Sequence, residues 1–262
     1  MNEHKGASEL FQELLEIVDT LRGENGCPWD KKQTRETLKP LMIEELYEAF
    51  EAIDRGDEGS LSEELGDMLL HIVFHARIGK EKGTFTMEEV LQKIISKMRE
   101  RHPHVFGDVQ AKDVQEVLKN WEEIKDRKEK REGMLVSIPR HLPALLRAHA
   151  IQSRVARVGF DWQNPDEVWA KVLEELEELN SARKSNDKER IMREWGDLVF
   201  ALVNLARHLD IDPEEALRKT CDRFIERFSF IEKELEKQGK KPSQASLEEM
   251  DSLWEKAKEN SR

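Results

Sequence analysis

The chain has 262 residues, 37% of them charged and 38% apolar, with a net charge of −12. That length admits two modest domains, the acidic balance argues against non-specific nucleic-acid binding, and the 13 glycines and 8 prolines are too few for an all-β chain with many turns. Two cysteines, Cys27 and Cys221, cannot build a disulfide framework or a Cys-type zinc site and are read as free thiols.

The opening MNEHKGASEL lacks the basic and apolar regions of a signal peptide, and no apolar run approaches the ~18 residues of a membrane span. A cytoplasmic chain with no membrane association is the expectation. The first patterned segment contains EELYE at 44–48, followed by the polar turn Arg55-Gly56-Asp57-Glu58-Gly59. A helix over 61–77 comes next, with Ser60 and Glu63 able to form a capping box. Its apolar residues Leu61, Leu65, Met68, Leu69, Ile72, Val73 and Ala76 follow the i, i+4, i+7, i+8 stripe of an amphipathic helix. His71 and His75 lie on this helix and are read as structural rather than as a zinc pair. A third helix is expected over about 86–101, a helix-end turn at RHPHVF, and a last helix around Trp121. The charge run Asp126–Glu132, then Pro139 and Pro143, marks a boundary near 133, giving domains 1–133 and 134–262.

The second half repeats the first at an offset of 130 residues, from Leu61 to Ile191. Ile191, Trp195, Leu198, Val199, Leu202, Val203 and Ala206 reproduce the apolar stripe, and EELEE at 174–178 answers EELYE. A short polar turn, Lys184-Ser185-Asn186-Asp187, again joins two helices, so each half is read as an antiparallel helical hairpin. A third helix is expected over 213–238, where Arg223 and Arg227 answer Lys93 and Lys97, and a last helix carries Trp254. The fold class that follows is all-α, two tandem repeated helical-bundle domains.

Acidic residues recur at the same offset. Glu44, Glu45, Glu48, Glu64 and Asp67 in the first half match Glu174, Glu175, Glu178, Glu194 and Asp197 in the second. Residues three apart share a helix face, so Glu45 with Glu48, and Glu64 with Asp67, point the same way on neighbouring helices. Glu64 lies about 40° from Met68 around the helix, bordering the apolar stripe. Acids at that border meet the partner helix, and several carboxylates converging there require either protons or a cation. An all-oxygen set suits Mg²⁺, Mn²⁺ or Ca²⁺. A di-iron bundle needs Glu-x-x-His on two helices, and none of the eight histidines sits three residues after a Glu.

The pattern EExxE followed by ExxD across a helical hairpin resembles the MazG family of nucleoside triphosphate pyrophosphohydrolases. GCPWDKKQT at 26–34, ERHPHVFGD at 100–108 and VGFDW at 158–162 extend the resemblance over nearly the whole chain. The resemblance implies an all-α NTP pyrophosphatase fold, a homodimer, dependence on Mg²⁺ with Mn²⁺ able to substitute, and hydrolysis of NTPs and dNTPs to monophosphate and pyrophosphate. Carried over by motif, Glu175, Glu178, Glu194 and Asp197 are the metal ligands, with Glu45, Glu48, Glu64 and Asp67 a second, weaker set. Lys171, Arg190, Arg193, Arg223 and Arg227 face the phosphates, and Trp254 lies by the nucleotide.

The halves differ in their cations. Lys171, Arg190 and Arg193 have Leu41, Ser60 and Glu63 as counterparts. A triphosphate needs positive charge as phosphoryl transfer proceeds, so the main active site is expected in the second half. Glu174 and Glu175 are the candidates for orienting or deprotonating the attacking water. Trp254 is suited either to stacking on a base or to helix packing. The rival reading is a non-catalytic helical scaffold that keeps its acids for solubility.

Overall fold

The computed structural model describes residues 5–107, 109, 112, 113, 116, 117, 121 and 133–260. The described residues form helices and connecting turns with no strand, and the chain divides into two compact units, Met1–Lys125 and Asp126–Arg262. No described helix is long and apolar enough to cross a membrane.

The first unit contains α1 (Ala7–Leu21), α2 (Pro28–Lys32), α3 (Arg35–Arg55), α4 (Glu58–Glu81), α5 (Met87–Arg101) and α6 (Pro103–Phe106). Helices α3 and α4 form the expected hairpin, and α1 packs on α4. The core between them gathers Val18, Leu38, Val73, Phe74 and Ile78. The segment GCPWDKKQT is tied down by Arg22, which donates to the carbonyls of Asp30 (2.6 Å) and Gln33 (3.2 Å) while gripping Glu81 with two nitrogens. Gly26 is needed there, because a Cβ would stand 2.1 Å from the Leu21 carbonyl oxygen. The last helix expected in this half, around Trp121, lies largely outside the described residues.

The second unit contains α7 (Ala144–Ala156), α8 (Pro165–Ser185), α9 (Lys188–His208), α10 (Pro213–Lys237), a 3₁₀ turn (Pro242–Gln244) and α11 (Leu247–Asn260). Helices α8 and α9 pair as a hairpin, α7 covers α9, and α10 pairs with α11 around Ile231, Leu235 and Leu253.

The two hairpin turns are built alike. Gly56 (φ 65°) and Asn186 (φ 58°) take the left-handed conformation that ends the first helix of each pair, one of them the residue type that adopts it freely and the other a type that tolerates it. Asp57 then caps α4 by accepting from the Gly59 and Ser60 amides, and Asp187 caps α9 by accepting from Glu189 and Arg190. The Ser60–Glu63 capping box expected from sequence is not used. The helix starts earlier because the Asp57 carboxylate, an ionised acceptor at a helix N-terminus, is the stronger cap.

Candidate active site

Helix pairing brings one carboxylate from the first helix of each hairpin onto two from the second. In the second unit, ligand atoms of Glu175, Glu194 and Asp197 lie within 4.8 Å of one another; in the first, those of Glu45, Glu64 and Asp67 do the same. Glu175 is only 6% exposed, an unusual position for an acid unless it is paired. The fourth expected member of each set, Glu178 or Glu48, stands outside that inner triplet. Burial and then the charges of Glu175 and Glu194 push the Glu178 carboxyl above the usual range, so it still shares their field.

The two triplets resolve the crowding of like charge differently. In the second unit Lys171 Nζ lies 2.7 Å from Glu175 Oε1 and 2.7 Å from Glu174 Oε1, and Arg190 Nε lies 3.5 Å from Glu194. Hydrogen bonds to Glu174 and Glu175 raise the Lys171 pKa further above its ordinary value and keep it cationic. In the first unit Leu41 replaces that lysine. There burial, followed by the charges of Asp67 and Glu48, raises the Glu45 carboxyl, and burial with Glu48 and Glu45 raises Glu64. Both triplets offer only hard carboxylate oxygens at mutual distances that one ion can bridge, so the residues fit a divalent cation such as Mg²⁺ or Mn²⁺.

A cavity of about 570 Å³ adjoins the second triplet and includes Lys171, Glu175 and Asp197 in its wall. Its remaining wall is mostly apolar, with Phe160 and Trp162 from the turn after α7, and polar groups Gln152, Asp161, Asn204 and Arg207. Such a pocket, apolar with a few placed polar groups beside charged ones, suits a heterocycle attached to an anionic chain. Gln152 is 4% exposed and donates through Nε2 to the Phe200 carbonyl at 2.7 Å. Asp161 accepts from Arg207 and from His208 Nε2 at 3.1 Å, which fixes the VGFDW turn against the end of α9. Sequence reasoning quoted VGFDW without giving Asp161 a partner, and it missed Gln152, Asn204 and Arg207. The only signal was VGFDW itself, since the partners lie on other helices.

The other expected phosphate and nucleotide residues do not line this cavity. Arg193 is exposed on α9. Arg223 donates to Thr220 Oγ1 on its own helix. Arg227 stacks its guanidinium 5.7 Å from the Trp254 ring centre, and Phe224 lies 4.9 Å from the same ring. Trp254 is partly buried and packs against the Ile231–Leu235–Leu253 cluster. Glu174 is displaced from the triplet and its side chain is 57% exposed. His71, read from sequence as structural, is buried beside the first triplet, with Nε2 3.6 Å from Glu45 Oε1.

A doubled α-helical hairpin with carboxylate triplets at its seams, one opening on a nucleotide-sized cavity, defines a helical phosphoanhydride hydrolase. Residues 33–106 match the family model described as MazG nucleotide pyrophosphohydrolase domain, and residues 151–224 match that of phosphoribosyl-ATP pyrophosphohydrolase. The chain is 45% identical over 256 residues to the nucleoside triphosphate pyrophosphohydrolase/pyrophosphatase MazG of Thermotoga maritima, covering 97% of this chain and 98% of that one. It is 44% identical over 251 residues to the nucleoside triphosphate pyrophosphohydrolase of Escherichia coli K12, covering 94% of this chain and 95% of that one. The chain belongs to the MazG family of nucleoside triphosphate pyrophosphohydrolases.

Proposed function

We propose that this enzyme hydrolyses nucleoside triphosphates, ribo and deoxy, to the monophosphate and pyrophosphate in the cytoplasm, as nucleotide-pool house-cleaning, with its principal site in the second of two domains, 1–133 and 134–262. The observation that carries the assignment is the joint presence, in that half, of the Glu175–Glu194–Asp197 triplet, the Lys171 and Arg190 cations and the adjoining cavity.

In this reading Glu175, Glu178, Glu194 and Asp197 hold Mg²⁺, with Mn²⁺ able to substitute. A divalent cation bound there supplies Lewis acidity toward the phosphoanhydride oxygens and toward an attacking water. Glu174 or Glu175 takes the proton of that water as its oxygen attacks the α-phosphorus and the bond to the β-phosphate oxygen breaks. Lys171, Arg190 and Arg193 meet the negative charge that gathers on the departing pyrophosphate. Phe160 and Trp162 offer apolar surface for the base. Arg223, Arg227 and Trp254 are further nucleotide contacts in this reading, supported by the Arg227–Trp254 contact that joins a cationic and an aromatic group on α10 and α11. Glu45, Glu48, Glu64 and Asp67 form a second, weaker cation site. A homodimer is part of the same reading, supported by exposed apolar residues on each hairpin, among them Tyr47, Phe50, Trp195 and Phe200.

Incubation with a panel of nucleoside triphosphates and Mg²⁺, followed by chromatography of products, tests the reaction. Monophosphate and pyrophosphate, lost with EDTA, are expected. Diphosphate and orthophosphate would refute attack at the α-phosphorus.

A further inference from the structure

The second helix of each hairpin carries small side chains at two positions in one half and large ones in the other. Along α9 the cavity is bounded by Asp197, Phe200, Ala201, Asn204 and Arg207, whose spacings of three and four keep them on one helix face. At the offset of 130 the same face of α4 carries Asp67, Leu70, His71, Phe74 and Arg77. Ala201 is matched by His71, and Asn204 by Phe74. Both larger residues are buried, His71 at 8% exposure and Phe74 at 5%. Phe74 belongs to the first unit's core with Val18, Leu38, Val73 and Ile78. Leu41 and Leu70, the counterparts of Lys171 and Phe200, pack against that core. Positions that stand around a cavity in the second unit are joined into packed interior in the first. Interiors fill to the density of organic crystals, so a base has no room among these side chains. In the second unit the Asn204 side-chain oxygen is held by Arg207 through Nε (3.1 Å) and a terminal nitrogen (2.7 Å), which fixes the amide in the cavity wall. Both halves keep three acids at the hairpin seam, so the difference lies in what can sit beside them.

We propose that these two positions decide whether a half admits a nucleoside. Ala201 and Asn204 leave the room it occupies in the second half, and His71 and Phe74 fill that room in the first. The first triplet is thereby confined to a cation with, at most, a base-free phosphate chain. This rests on the reading of the cavity as the nucleoside site.

The test is calorimetry on the full chain in Mg²⁺ with two probes. One is an ATP analogue with a methylene bridge between the α- and β-phosphorus atoms, which is not cleaved there. The other is inorganic tripolyphosphate, which has no nucleoside. Glu45→Gln with Glu48→Gln silences the first half. In that background Ala201→His with Asn204→Phe, the first half's own pair, weakens the analogue at least about thirtyfold and leaves tripolyphosphate within about twofold. Ala201→Leu keeps the Asn204–Arg207 contact and shifts the two probes in the same unequal way to a smaller extent, with circular dichroism showing that the chain is folded. In the converse chain, with Glu175→Gln and Glu178→Gln and the first half intact, the analogue does not bind. Undiminished analogue binding in both variants, equal loss of the two probes in the folded Ala201→Leu chain, or analogue bound by the first half alone overturns the assignment of the two positions. Failure of the chain with Ala201 and Asn204 unchanged to bind the analogue overturns the cavity as the nucleoside site, and the inference with it.

Discussion

Lys171 Nζ lies 2.7 Å from Glu175 Oε1, so the most buried acid of the second triplet is held by an ammonium from one turn earlier on the same helix. The pair creates a competition. A cation entering the triplet must displace the ammonium from Glu175, and the released lysine is then placed to meet phosphate.

Lys171→Leu gives the second half the residue that the first half has. We expect tighter Mg²⁺ binding by calorimetry, because no ammonium has to be displaced from Glu175, together with a fall in kcat of about a hundredfold from loss of charge stabilisation at the pyrophosphate. An unchanged kcat would remove Lys171 from the reaction.

Paired substitutions separate the two halves. Glu175→Gln with Glu178→Gln should lower pyrophosphate release by at least about a hundredfold. Glu45→Gln with Glu48→Gln should leave most of it. If the first-half pair proves the more damaging in a steady-state assay, the principal site has been assigned to the wrong half.

The first triplet has Leu41 where the second has Lys171, and burial, then the charges of Asp67 and Glu48, raise the Glu45 carboxyl, so ionised Glu45 is held at a cost. In EDTA, Glu45→Gln should melt a few degrees higher than the parent chain, as expected for relief of about 1 kcal/mol. With saturating Mn²⁺ the order should reverse, because the parent gains a ligand-bound state that the variant has lost. Scanning calorimetry under the two conditions decides it.

Asp161 gives a pH-dependent stability. Burial pushes its carboxyl up, but hydrogen bonds from Arg207 and His208 outweigh this and hold it below the ordinary range. Its folded value is therefore lower than the unfolded value of about 3.9, so the stabilisation is complete above about pH 4 and is lost as pH falls through the folded value. Asp161→Asn should cost about 1–3 kcal/mol near neutrality, with the gap to the parent closing in acid. A gap that stays constant in melts from neutral pH down to about pH 3 would show that the charge of Asp161 contributes nothing.

Arg22 has a side chain only 5% exposed and binds Glu81 through Nε (2.9 Å) and a terminal nitrogen (2.8 Å). Arg22→Ala leaves Glu81 to Arg77 alone, removes a donor from the Asp30 and Gln33 carbonyls, and should destabilise the first unit by about 3 kcal/mol. Arg22→Lys should recover only part of this, because an ammonium cannot make the two-nitrogen contact. Chemical denaturation of the three proteins measures both losses.

Sequence alone determined whatever repeats along one helix or across one tight turn. The 3.6-residue stripe, the acids at Glu64 and Asp67 and their images at Glu194 and Asp197, and the hairpin connections all follow from spacings of three, four and a short turn, which fix neighbours without knowledge of the rest of the fold. Tertiary structure decided which donors converge from separate elements. It placed Glu175 on Glu194 and Asp197 while leaving Glu178 at the margin, set His71 against Glu45, closed Asp161 onto Arg207 and His208, and packed Trp254 on the Ile231–Leu235–Leu253 cluster. These contacts depend on the angle and depth at which helices pack, and the packing is set by the summed shapes of many side chains rather than by the period of any one segment.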